Sequence, residues 1–133
     1  MVLDTNVLVS GLLSSRGAPA GILNLVVNGS VILVLDTRIF DEYADVLRRK
    51  KFGFPEDAVQ EILTFIRREG TFIMPVPVTC TIPDIDDLPF IEVSLNAGVP
   101  VVTGNIRHFQ GSGARVLSPG EFLEQYRDRL TQE

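Results

Sequence analysis

The chain has 133 residues, 45% of them hydrophobic, and a formal net charge of −5. This excludes a disordered chain and suits a single domain over residues 1–133 with a substantial core. No apolar run reaches the roughly 20 residues that span a bilayer, and the acidic balance argues against broad, non-specific nucleic-acid binding while leaving room for a local basic patch.

Residues 1–4 read as a strand that stops at a carboxylate, Asp4. No basic leader precedes it, so no signal peptide is expected. With Cys80 as the only cysteine, the pattern suits a reducing, cytoplasmic setting. Cys80 itself reads as a small, inert residue. Residues 5–14 form a loop or short helix. Pro19 opens a second helix that ends near Val27, before Asn28-Gly29. Residues 31–35 are continuously apolar, the mark of a strand covered on both faces, and they too stop at an acid, Asp36.

Thr37 is expected to cap the next helix, about 38–50, whose buried stripe is Ile39, Phe40, Tyr43, Val46 and Leu47. Glu42 lies beside that stripe. A further helix, about 56–69, turns Val59, Ile62, Leu63 and Ile66 inward and ends at Gly70. Residues 71–74 form a third strand, and proline-spaced loop follows over 75–83. Asp84, Asp86 and Asp87 crowd the start of a helix that ends at Gly98. Residues 99–103 are a fourth strand, leading to Gly104-Asn105-Ile106-Arg107-His108, and residues 114–117 a fifth. Ser118-Pro119-Gly120-Glu121 is a capping box that opens a last helix, with Phe122, Leu123, Tyr126 and Leu130 apolar and a tail at 131–133 that frays. Strands alternating with helices imply an α/β sandwich around a mainly parallel sheet.

In a parallel sheet the strand C-termini share one edge, and helices that follow strands start there, as does a helix that feeds the next parallel strand. Asp4, Glu42, the acids at 84–87 and the turn at Thr103–Asn105 can therefore meet at that edge. Two like charges about 4 Å apart at an effective dielectric of about 20 repel by about 4 kcal/mol, so such a cluster needs protons or cations. Oxygen donors favour Mg²⁺ or Mn²⁺ over Zn²⁺, and metal-assisted phosphoryl transfer is the chemistry that follows. Plainer roles exist for each residue. Asp4 or Thr5 can simply cap a helix, the 84–87 acids can serve a helix dipole, and Glu42 can be a solvated helix acid. Periodicity alone does not show that these acids meet.

The segments Leu3-Asp4-Thr5-Asn6-Val7-Leu8-Val9-Ser10, Glu42-Tyr43-Ala44-Asp45-Val46-Leu47, Pro83-Asp84-Ile85-Asp86-Asp87-Leu88-Pro89-Phe90-Ile91-Glu92 and Val102-Thr103-Gly104-Asn105-Ile106-Arg107-His108-Phe109, in this order, resemble a PIN domain. The closest likeness is to the branch of toxin components of toxin–antitoxin systems related to VapC-like toxins. The resemblance implies a five-stranded sheet in order 3-2-1-4-5 within a three-layer sandwich, and Mg²⁺- or Mn²⁺-dependent endoribonuclease activity that leaves 5′-phosphate and 3′-hydroxyl ends. It assigns catalytic and metal-binding roles to Asp4, Glu42 and Asp87. Asn105 stands where the family has a fourth acid, so it brings a carbonyl to the metal but no charge. Asn6 and Thr103 match the family's polar positions and would orient ligands or water. Arg107 and His108 are the candidates for substrate contact, with Arg16 a further one. Arg48-Arg49-Lys50-Lys51 reads as a solvated helix end.

The implied partners are RNA, an antitoxin protein and a second copy of the chain, with exposed apolar positions on the helical pair 38–69 as a candidate dimer contact; no membrane is implied. A competing reading is an interaction or regulatory module with a weakened or inactive metal site, motivated by Asn105. A doubly wound nucleotide-binding protein is a third. It would need a glycine-rich phosphate loop after the first strand, where this chain has Asp4-Thr5-Asn6.

Overall fold

The computed structural model describes residues 1–131. Five short strands alternate with six α-helices: β1 (Val2–Leu3), α1 (Thr5–Leu13), α2 (Ala18–Val27), β2 (Val34–Leu35), α3 (Thr37–Leu47), α4 (Glu56–Glu69), β3 (Thr71–Phe72), α5 (Leu88–Ala97), β4 (Val101–Val102), β5 (Val116–Leu117) and α6 (Pro119–Thr131). Three 3₁₀ turns, Lys50–Phe52, Ile85–Asp87 and Ile106–Phe109, fill the connections. Of the tail expected to fray, Thr131 closes α6, and Gln132 and Glu133 lie outside the described residues.

All strand pairs are parallel, as the alternation of strands and helices implies. The five strands do not form one sheet in order 3-2-1-4-5. They form two sheets, β1-β4-β5 and β2-β3. The seam between them carries two backbone links: the Met1 amine donates to Ile32 O, and Val34 N–H donates to Met1 O, each at 2.9 Å. One step further along, Leu3 O accepts from the buried Tyr43 hydroxyl. A side chain from α3 therefore takes the carbonyl that a continuing ladder would use. Replacing Tyr43 with Phe leaves that carbonyl unpaired in a dry site. The expected loss is about 1–2 kcal/mol, read from urea unfolding at unchanged m.

Residues 31–35 are not covered on both faces. Leu33 and Leu35 are buried while Ile32 is 55% exposed, the alternation of a strand with one dry face. Asp36, not Thr37, caps α3. Its Oδ1 accepts from Ile39 N–H at 3.0 Å, and Thr37 is the first helical residue. The helix ends at Leu47, short of residue 50; Arg48 pairs forward with Glu56 on α4, and Arg49 pairs back with Asp45. Its stripe of Ile39, Phe40, Tyr43, Val46 and Leu47 is buried as the spacing predicts. In α4, Val59, Leu63 and Ile66 are buried and Ile62 is partly so.

Gly11 lets α1 and α2 approach closely: a Cβ there would stand 2.6 Å from Leu23 Cδ1. Gly98 ends α5 in the left-handed region, with φ 68°. The α6 capping box forms in both directions, Glu121 N–H to Ser118 Oγ at 3.1 Å and Ser118 N–H to Glu121 Oε1 at 3.0 Å. Helix α5 lies against β1, β2 and β4, and this packing brings its acidic start to the strand ends. Among the described residues no helix is long and apolar enough to cross a membrane.

Candidate functional site

The site grows from the ends of β1 and β4. Asp4 N–H donates to Val102 O at 3.0 Å, extending the parallel ladder by one residue. That register sets Asp4 beside Thr103, which is fully buried. Thr103 Oγ1 donates to Asp4 Oδ2 at 2.7 Å and accepts from Asn105 N–H at 2.9 Å. Asp4 occupies the cap position of α1 but makes no side-chain capping bond. Its carboxylate is aimed instead across the strand ends.

Two helices bring further acids. From α3, Glu42 Oε2 accepts from the Thr5 hydroxyl, which ties α3 to the first residue of α1. At the start of α5, Asp84 caps the 3₁₀ turn through Asp86 N–H, and both Asp84 and Asp86 are exposed. Asp87 differs from them: its side chain is 16% exposed, and its Oδ2 is buried with no hydrogen-bond partner among the described residues. His108 Nδ1 stands 3.6 Å from it, too far for a hydrogen bond.

The three carboxyls are all raised. Burial pushes Asp87 up to about 6, and the charges of Asp4, Asp84 and Glu42 add to it, with His108 acting in the opposite sense. Burial also raises Asp4, against the Thr103 hydrogen bond. Glu42 is raised by burial and by Asp4 and Asp86, against the Thr5 hydrogen bond. Burial is the largest cause for all three, and the charge of Asp4 adds to it at both Glu42 and Asp87.

A raised carboxyl favours folding in its protonated form. Asp87 therefore contributes stability that is full below its ordinary unfolded value, near 4, and is lost as pH rises through about 6. Metal-free Asp87→Asn should lack this component. Its melting temperature, relative to the unaltered chain, should climb between pH 4.5 and 6.5; a constant difference in scanning fluorimetry would count against the elevated Asp87.

The family model described as PIN domain matches residues 1–107. The chain belongs to the PIN-domain family. It is also similar to an uncharacterised protein of Methanocaldococcus jannaschii, 24% identical over 140 residues, covering 95% of this chain and 90% of the relative. No solved structure matches. PIN domains are typically nucleases that use divalent metal ions.

Three carboxylates, one of them with an orphaned buried oxygen, are suitable donors for a hard cation. Among the described residues, however, no group of three His, Cys, Asp or Glu side chains is close enough to hold a metal ion as it stands. As they stand, these residues offer oxygen donors suited to a hard cation but no ready all-protein cage.

Of the remaining sequence candidates in this PIN domain, Thr103 and His108 stand beside these acids. Asn105 is exposed, and it is its backbone that enters the Thr103 network. Asn6, Arg107 and His108 are exposed. Large apolar side chains such as Leu13, Ile32, Met74, Val76 and Ile85 are exposed, and none of these lies on the 38–69 pair considered for a dimer contact.

Sequence reasoning missed one cluster. Arg38, at the start of α3, bridges two buried acids, with Nε at 2.8 Å from Asp36 Oδ2 and Nη1 at 2.8 Å from Glu92 Oε1. A signal was present: Glu92 interrupts the apolar run Phe90-Ile91-Glu92-Val93, and an acid buried in such a stretch needs a partner. It did not say which of the 12 Lys and Arg residues that partner was.

Proposed function

We propose that this PIN domain is a Mg²⁺- or Mn²⁺-dependent endoribonuclease, and the toxin component of a toxin–antitoxin pair related to VapC-like toxins. The observation that carries the reading is the buried, unpartnered Asp87 Oδ2 gathered with Asp4 and Glu42 at one sheet edge, each carboxyl raised. Asp4, Asp87 and Glu42 would hold the ion. Bound there, the ion supplies an activated water and neutralises charge on the phosphodiester. The chain's own part is positional. Thr103 fixes the Asp4 rotamer, Thr5 fixes Glu42, and Asn6 and Asn105 stand at the rim to orient water. Arg107 and His108 offer exposed donors to the RNA backbone, a local patch compatible with a net charge of −5. An antitoxin would cover this acidic edge, and a second copy would complete a homodimer.

The test is cleavage of a structured RNA by the purified protein with Mn²⁺. Activity should vanish with a chelator and in Asp87→Asn. Cleavage that survives chelation, or equal cleavage by Asp87→Asn, would overturn the assignment.

A second reading is an interaction or regulatory module of the same fold with a weak metal site. Two observations favour it: Asn105 stands where the family has an acid, and no three donors form a ready cluster among the described residues. Calorimetry separates the two, because a module without function at this site binds no Mn²⁺ at millimolar concentration.

A further inference from the structure

The candidate acids stand on separate elements, and none makes a direct hydrogen bond to another. Thr5 ties Glu42 to the end of β1, and Thr103 ties Asp4 to the end of β4. Asp87 has no such tie. Its place is set by where α5 begins, and therefore by whatever holds α5 against its neighbours.

One polar contact does this from the element that carries Glu42. Arg38 lies one helical turn before Glu42 on α3. Its guanidinium reaches Glu92, five residues beyond Asp87 in the same helical run. The second oxygen of Glu92 accepts from Val78 N–H at 2.8 Å, so the loop that leads into Asp84–Asp87 is secured at the same point. On the other side, Asp36 is itself held, with one oxygen capping α3 and the other facing Arg38. The carboxylates of Asp36 and Glu92 are nearly inaccessible, at 4% residue exposure each. Burial raises Glu92, yet the Arg38 and Val78 contacts outweigh it and leave the carboxyl below its ordinary value. A planar fork gripping two buried carboxylates permits little play in the spacing it spans.

We propose that Arg38 is a positioning residue for the metal site: through Glu92 it holds α5 and the loop before it at the spacing from α3 that lets Asp87 and Glu42 share an ion. This rests on the metal-dependent reading above. Arg38 touches neither ion nor substrate in this role, so its effect should be on metal affinity and turnover and not on RNA binding.

The test compares the unaltered protein with Arg38→Lys, Arg38→Met and the double variant Arg38→Met/Glu92→Gln. The double variant removes the Glu92 charge together with that of Arg38 and keeps an acceptor for Val78 N–H, so of the two buried carboxylates only Asp36, which still caps α3 through Oδ1, is left without its cation. Three quantities are measured: Mn²⁺ affinity by calorimetry, thermal stability without metal, and kcat and KM for RNA at saturating Mn²⁺. Loss of groups that orient metal ligands typically weakens affinity by about 10–100-fold. A weakening in that range is expected for Arg38→Met, with kcat lowered and KM unchanged. The double variant should recover part of the thermal stability lost in Arg38→Met but none of the Mn²⁺ affinity, and Arg38→Lys should lie between Arg38→Met and the unaltered protein. If the folded double variant binds Mn²⁺ as the unaltered protein does, Arg38 is structural only and the proposal is overturned. If the unaltered protein binds no Mn²⁺, the metal-dependent reading fails first and takes this proposal with it.

Discussion

Replacing Asp4 with asparagine should lower Mn²⁺-dependent RNA cleavage by more than about 100-fold, since even residues that only orient metal ligands contribute about 10–100-fold. The two side chains have the same shape, and the Asn carbonyl can still accept from Thr103, so the local packing survives. What is lost is a negative charge at the junction of β1 and β4, where Asp4 acts on both Glu42 and Asp87. Removing that charge relieves repulsion. Metal-free Asp4→Asn should therefore melt at the same temperature as the unaltered chain or higher, and the Asp87 carboxyl should fall back toward its ordinary range. The combination of lost activity with retained or increased stability distinguishes a site that stores electrostatic strain from a residue the core needs. Low activity accompanied by a clearly lower melting temperature would return Asp4 to a structural role.

Arg38→Met should be the most damaging single change to folding outside the apolar core. Breaking a buried ion pair by removing one member typically costs about 3–5 kcal/mol, because a charge is left without a partner. Arg38 itself is 44% exposed, so water screens part of the interaction and the lower end, about 3 kcal/mol, is expected. Stability should improve as the pH falls and the stranded Glu92 takes up a proton. It should also improve at neutral pH on adding Glu92→Gln. Urea unfolding of the single and double variants measures both. If Arg38→Met loses less than about 1 kcal/mol, the bridge behaves as an ordinary surface ion pair.

Much of this molecule was legible because local rules and tertiary packing agreed. Helix α3 carries five apolar residues at helical spacing, and all five are buried. Prolines, glycines and the capping box marked most helix ends near where they fall. The errors came where a local signal had two physical solutions. Asp36 and Thr37 can each cap a helix, and only the path of the chain leaving β2 decided for Asp36. Five consecutive apolar residues at 31–35 can be covered on two faces or one, and Ile32 is exposed while Leu33 and Leu35 are buried.

The sequence by itself determined the inventory: one chain of alternating strands and helices, acids at the ends of particular elements, oxygen donors suited to a hard cation, and motifs in the order of a PIN domain. Those features are properties of neighbouring residues, governed by periodicity, capping and side-chain chemistry. Tertiary structure alone decided which acids differ from one another. Asp84, Asp86 and Asp87 are close to equivalent along the chain, yet in the fold two are solvated and Asp87 has a buried oxygen without a partner. It also decided that Arg38, rather than any other cation, meets Glu92 across 54 residues. Burial and long-range charge arise only when distant segments pack, so no pattern within one segment encodes them.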